Sequence, residues 1–261
     1  MMQISYTLLK EAFLAWAVLI TTISAMSYNS DSGYKCSFGQ SCWPSIQEWE
    51  NCNSSLSGNL HRTAPYAASC YYESPFYDPS ICALIAPNFT TGEARTSVYG
   101  PKNALNWESC LSHTCALNPV NTSETLSEQS SHGSLSSLYV DAREASHVVA
   151  AIKFAQAHKL RVSIKNTGHG DFGRSTNPHT LAIWTHNIKS MKYHANFIAF
   201  QCTSSNGENI GEIGAGAQAG NVYTYFQKFE MDVTGGNEGS VGLAGRFGQG
   251  GGHGIFGPSL V

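Results

Sequence analysis

The sequence has 261 residues, 42% hydrophobic and 13% charged, with 15 Lys plus Arg against 18 Asp plus Glu for a formal net charge of −3. That apolar content excludes a disordered or fibrous chain, and the length suits one large domain or two modest ones. There is no basic excess to neutralise a run of phosphates, which excludes nucleic acid as a partner bound by bulk electrostatics.

At the start, Lys10 and Glu11 precede an apolar run, Ala12 to Ile20, that fades through Thr21 and Thr22 into Ile23-Ser24-Ala25. This is the layout of a secretory signal over residues 1–25, with Ala25 as the last residue before cleavage. The run is too short for the ~20 apolar residues that a spanning helix needs, so a membrane anchor is the weaker reading. The expected location is extracellular, with no membrane partner.

Residues 26–117 form a cysteine-rich, loop-rich segment. Cys36, Cys42, Cys52, Cys70, Cys82, Cys110 and Cys115 all fall there, leaving only Cys202 outside. In an exported chain such cysteines read as disulfides, and their spacings are too wide for a zinc finger. The acceptor sequons Asn53-Ser-Ser, Asn88-Phe-Thr and Asn121-Thr-Ser lie in the same polar region, as glycosylated surface loops do. Ser45 with Glu48 three residues on is a capping box, which predicts a short helix over 45–52. Residues 118–137 are a Ser/Thr-rich linker.

From Leu138 the pattern becomes that of an α/β (α+β) domain, residues 138–261. Leu138 to Val140 reads as a strand. Asp141 is placed to cap a helix carrying Ala145, Val148, Val149, Ile152, Ala155 and Ala157 at helical spacing, and Arg161 to Ile164 is the next strand. Further strands are expected at 180–185, 197–202, 210–213 and 231–233, with a helix over 219–229. Sixteen of the 25 glycines lie from Gly207 onward, a density that lets backbone N–H groups approach a ligand closely.

Three glycine-bearing motifs follow from this pattern. In Ser163 to Ser175, the loop after a strand offers Lys165 and Arg174 as charges, Asn166, Thr167 and Ser175 as donors, and Gly168 and Gly170 as exposed backbone, a set that suits a pyrophosphate. His169 stands at its centre; His169-Gly-Asp171 is also a possible start of a metal site, although no second ligand cluster accompanies it. Gly214-Ala-Gly216-Ala-Gln-Ala219 fits the dinucleotide fingerprint formally, but the forty or so residues after it are too few for a βαβαβ half. Thr234 to Gly254 combines many glycines with Val241, Leu243 and Phe247, which a solvated tail would not carry.

Taken together, Ile-Lys-Asn-Thr-Gly-His, Gly-Arg-Ser, Gly-Ala-Gly, Ser-Val-Gly-Leu-Ala-Gly and Gln-Gly-Gly-Gly-His-Gly resemble the FAD-linked oxidases. These are the berberine-bridge-enzyme-like members of the vanillyl-alcohol-oxidase superfamily, with a PCMH-type FAD-binding domain. Cys42-Trp-Pro-Ser45 is similar to secreted fungal members. The resemblance implies FAD bound covalently through His169. It further implies that Lys165, Asn166, Thr167, Gly168, Gly170 and Ser175 surround the pyrophosphate. Ser240, Val241, Gly242, Gly245, Gly250, Gly251, Gly252, His253 and Gly254 would lie along the rest of the cofactor. It also implies hydride transfer from an alcohol, sugar or secondary-metabolite substrate to the flavin and then to O₂. Some members attach the flavin a second time through a Cys where Glu238 stands, so one bond is expected here. Arg246 replaces a usual glycine. The chain corresponds to the N-terminal part of such a protein, with the catalytic base expected beyond residue 261; the alternative is a truncated, non-catalytic secreted glycoprotein.

Overall fold

The computed structural model describes residues 35–103, 115, 117, 133–170, 172–201 and 206–254. The signal segment, Cys110, Cys202, Asp171, the Asn121 sequon and most of the 118–137 linker lie outside the described residues. All the elements below belong to one compact unit, Cys36–Val261.

The first helix, α1 (Ile46–Ser55), begins where its capping box predicts. The Glu48 amide donates to Ser45 Oγ at 3.3 Å, and the Ser45 amide donates to Glu48 Oε2 at 2.7 Å. Trp49 packs against Trp43 and Phe154, and Leu56 just past the helix end is fully buried, which seats α1 on the main core. The rest of the cysteine-rich segment holds β1 (Leu60–Arg62), α2 (Pro79–Ile85) and α3 (Gly92–Thr96). None of these three carries a periodicity long enough to be seen in the sequence.

Among the described residues, two disulfides staple this segment, Cys36–Cys42 and Cys70–Cys82. Cys52 is buried outside any disulfide, and desolvation pushes its thiol up to about 11. A separate small core of Tyr66, Tyr71, Phe89 and Leu117 forms beside the buried Arg95. The Arg95 guanidinium donates to the carbonyls of Lys102 (2.7 Å) and Phe89 (3.0 Å) and lies 5.1 Å from the Phe89 ring centroid and 5.6 Å from that of Tyr66.

The main sheet has the order β1-β2-β4-β3, with β2 (Leu138–Asp141), β3 (Arg161–Lys165) and β4 (Thr180–Trp184). β2, β4 and β3 run parallel, and β1 adds antiparallel to β2 through Leu60↔Val140 and Arg62↔Leu138. β4 is buried along its whole length, as an interior parallel strand flanked on both faces should be. The cysteine-rich segment thus contributes a strand to the sheet that the α/β pattern starts.

The helix between β2 and β3, α4 (Ala145–Ala157), has a different inward face from the expected one. His147, Ala151 and Ala155 are buried, while Val149 and Ile152 are exposed. The small Ala151 and Ala155, one turn apart, let the helix approach closely and turn Val149 and Ile152 outward. Asp141 is also not its cap: it ends β2, where its carboxylate accepts from Arg143 at 2.9 Å and from Asn187 Nδ2 at 2.6 Å. The amide of Arg143 instead meets His147 Nδ1 at 3.4 Å.

A second, two-stranded antiparallel sheet pairs β5 (Met191–Phe197) with β6 (Glu208–Ile213). The strand expected at 197–202 is therefore corrected to 191–197, because Met191 and Tyr193 pack with Ile213 on the core of α5 (Ala219–Phe226). A single 3₁₀ turn, Gln227–Phe229, follows α5 and ends at Glu230 in the left-handed region, φ 55°. Residues 231–233 are not a strand; Met231 and Val233 pack onto the α5 core from an irregular segment. Among the described residues, no helix is long and apolar enough to cross a membrane.

Candidate functional site

The carboxyl ends of parallel strands are where α/β sheets place ligands, and the loop after β3 starts there. Its first residue departs from expectation. Lys165 is 2% exposed, and its Nζ donates to the carbonyls of Val98, Tyr99 and Pro101. Instead of offering charge to a phosphate, it ties residues 98–101 beneath the loop. The amide of Asn103 donates to the Gly168 carbonyl at 3.2 Å and extends this floor. Gly168 has φ +88°, which a side chain would strain, and a Cβ there would come within 2.9 Å of Lys165 Cε.

Asn166 is the meeting point of all three glycine motifs. Its Nδ2 donates to the Ala215 carbonyl at 2.6 Å. A Cβ on Gly242 would lie 2.3 Å from that nitrogen, and one on Gly245 2.1 Å from it. At Gly245 the Ala215 carbonyl, 2.6 Å from an added Cβ, makes glycine necessary, whereas at Gly242 a side chain would have to displace the Asn166 amide. The Gly214-Ala-Gly216 motif serves the same end: added Cβ atoms would strike the Ile188 carbonyl at 2.3 Å and the His186 carbonyl at 2.0 Å. It follows an antiparallel strand and packs chain on chain, so it is no dinucleotide fingerprint.

The third motif bends through a π-helical turn, Leu243–Phe247, held by the Phe247 amide on the Gly242 carbonyl at 3.1 Å. Such turns are rare and concentrate at functional sites. Just before it stands a chain of polar contacts. His169 Nε2 lies 2.9 Å from Ser240 Oγ, which donates to Glu238 Oε1 at 2.7 Å; the Ser240 amide meets the same oxygen at 3.2 Å. These bonds, first the Ser240 hydroxyl and then its amide, hold the Glu238 carboxyl below the usual carboxylate range, and nearby His169 adds to the effect. Gln218 Nε2 bonds the Ser240 carbonyl at 2.9 Å and Thr96 Oγ1 at 3.1 Å, so three segments fix Ser240 in place.

Arg246 is exposed, and its Nη2 reaches the His169 carbonyl at 3.3 Å, which explains how this position tolerates a large cation. A polar cleft of about 500 Å³ opens beside Ser240, lined by Glu93, Asn103, Gln218, Asn221 and Glu238. The last expected residues, Gly250, Gly251, Gly252, His253 and Gly254, continue past the turn. Their nearest packing partners are Phe247, Thr234 and Gly235 rather than the His169 loop, and Gly250 and Gly251 face open space. Sequence reasoning missed Asn103, which belongs to no motif, and Gln218, which lies inside the Gly214 to Ala219 motif but was given no role there. Among the described residues, no group of three or more His, Cys, Asp or Glu is placed to hold a metal ion.

No protein-family model matches the chain. It is 34% identical over 221 residues to the FAD-linked oxidoreductase penH of Penicillium thymicola, a stretch of 84% of this chain and 37% of that protein. It is 31% identical over 256 residues to the VAO-type flavoprotein oxidase VAO615 of Thermothelomyces thermophilus, covering 95% of this chain and 42% of the relative. The fold agrees: the crystal structure of the VAO-type flavoprotein MtVAO615 from Myceliophthora thermophila C1 superposes with a TM-score of 0.73 at 30% identity, covering 85% of this chain and 39% of that one. Over most of its own length the chain is similar to FAD-linked oxidoreductases and VAO-type flavoproteins. It spans about two fifths of the length of the curated relatives it matches.

The site chemistry suits FAD, the cofactor named in those relatives. Thr167 Oγ1, Ser175 Oγ and Asn166 Oδ1 are buried without hydrogen-bond partners, and buried polar atoms are ordinarily satisfied. The two hydroxyls suit phosphate oxygens and the amide oxygen suits a hydroxyl donor. Gly170 leaves open space between them in sequence.

Proposed function

We propose that this chain binds FAD across the loop from Asn166 to Ser175 and the glycines from Ser240 onward, with one covalent link, through His169. The reaction served is oxidation of an alcohol, sugar or secondary-metabolite carbon, with O₂ as final electron acceptor, outside the cell. When bound, FAD supplies the two-electron acceptor. The chain's own residues orient it. Thr167 and Ser175 donate to phosphate oxygens; Arg174 and Arg246 supply the positive field that the buried Lys165 does not. Asn166 locks the three glycine segments into one surface, and Ser240 holds the imidazole. With Glu238 and no cysteine between Thr234 and Ser240, a single attachment is expected.

The observation that carries this reading is the convergence of His169, Asn166, Ser240, Gly242 and Gly245 on one place, with buried hydroxyls left for a ligand. The test is to express the chain, alone and extended with the remainder of a relative, from a secretory eukaryotic host. The extended protein should be yellow, keep its flavin through acid precipitation, and carry flavin mass on the tryptic peptide with His169; His169→Ala should abolish that mass. A folded, extended protein without flavin, or with flavin on another residue, overturns the proposal.

A further inference from the structure

We infer that Glu238 and Ser240 act as a positioning relay that keeps the His169 ring proton on Nε2 and so leaves the lone pair of the neutral ring on Nδ1. The argument counts protons. Ser240 Oγ has one hydrogen and two close neighbours, Glu238 Oε1 at 2.7 Å and His169 Nε2 at 2.9 Å. An ionised carboxylate only accepts. Glu238 also takes the Ser240 amide, and these bonds hold it ionised at neutral pH. The Ser240 hydrogen therefore goes to Glu238, and the contact with His169 is made only if Nε2 carries a hydrogen. The tautomer of a histidine is set by such a bond at its other nitrogen.

The relay is built rather than incidental. Ser240 is buried, its carbonyl is held by Gln218, and the His169 carbonyl accepts from Arg246, so the backbone that carries both side chains is tethered. Glu238 reaches Ser240 from the edge of the polar cleft that it shares with Asn103 and Glu93. The relay's purpose is to orient the attachment point that the FAD reading gives to His169. That purpose rests on the FAD reading above; the tautomer itself does not.

The test reads the ring nitrogens directly, without flavin. In the whole chain labelled with nitrogen-15 in its histidines, and with His169→Ala to assign the signal, His169 should show one protonated Nε2 and one unprotonated Nδ1. Ser240→Ala should lose this single-tautomer signature, and Ser240→Thr should restore it. Glu238→Gln places an amide that donates as well as accepts, so the Ser240 hydrogen is free to turn to His169; the signature should become a mixture or invert. A wild-type ring protonated on Nδ1, or a signature that neither Ser240→Ala nor Glu238→Gln moves in folded protein, overturns the relay. Should Ser240→Ala fail to fold, Glu238→Gln, at an exposed position, still decides. A second arm measures acid-stable flavin in the extended protein: loss in Glu238→Gln with wild-type retained supports the purpose. Unchanged flavin there rejects the purpose, and no flavin in wild-type rejects the FAD reading and leaves the ring signature to judge the relay.

Discussion

Lys165 shows how a side chain's partners can reverse the meaning of its charge. A lysine at the start of a glycine loop reads as a phosphate ligand, yet three carbonyls more than sixty residues earlier in the chain claim its ammonium. Those carbonyls come from Val98, Tyr99 and Pro101, and backbone groups leave no trace in a residue pattern. His169, Asn166, Gly242 and Gly245, which the sequence singles out, are brought together by the fold, because a close approach of chains demands particular side chains or none. Lys165→Ala should cost about 3 kcal/mol in urea unfolding, since it strands buried acceptors that had a charged donor. His186 supplies a second residue-scale outcome. It is 2% exposed, stacks on Trp184 at 5.2 Å, and burial first, then Lys189 and Lys165, lowers its ring to about 4 from 6.5. The folded chain thus binds this proton less readily than the unfolded one. The contribution is complete above pH 6.5 and is lost as pH falls toward 4. His186→Phe keeps a ring on Trp184 and removes the titration, so urea midpoints across that window should fall less steeply than in wild type.

Elements were legible in proportion to how local their causes are. α1 is set by two side chains three apart, and its capping box forms as the sequence predicts. Ser45→Ala should lower stability by about 1 kcal/mol, read by thermal or urea unfolding, with Glu48 losing its partner at the same time. α4 exists where predicted, but its inward face is chosen by the sheet it must approach, which favours Ala151 and Ala155 over Val149 and Ile152. β5 was misplaced because its ladder with β6 and its seat on α5 are long-range facts. The π-helical turn had no periodicity to announce it; it follows from Asn166 occupying the space that side chains at 242 and 245 would need.

At the scale of the molecule, the cysteine-rich segment and the α/β part are one structure. β1 extends the sheet through its ladder to β2, and Leu56 and Trp49 pack with Val140, Leu181 and Phe154. The Cys36 amide bonds the Lys159 carbonyl at 2.8 Å, Lys165 donates to carbonyls within residues 98–101, and Gln218 reaches Thr96. Composition divides the chain near 118–137 because disulfide-rich and glycine-rich stretches differ in residue use, but composition does not report which surfaces meet. A chain beginning at Leu138 would retain every glycine motif while exposing the β2 edge, one face of α4 and an ammonium stripped of its three carbonyls. Such a chain should lack a cooperative urea transition and be cut within the His169 loop by limited proteolysis, whereas a chain beginning at Cys36 should unfold in one step and resist cleavage there. Cooperative folding of the shorter chain would show that the floor beneath the site is dispensable. Its failure would locate the stability of the glycine surface in residues that carry no motif at all.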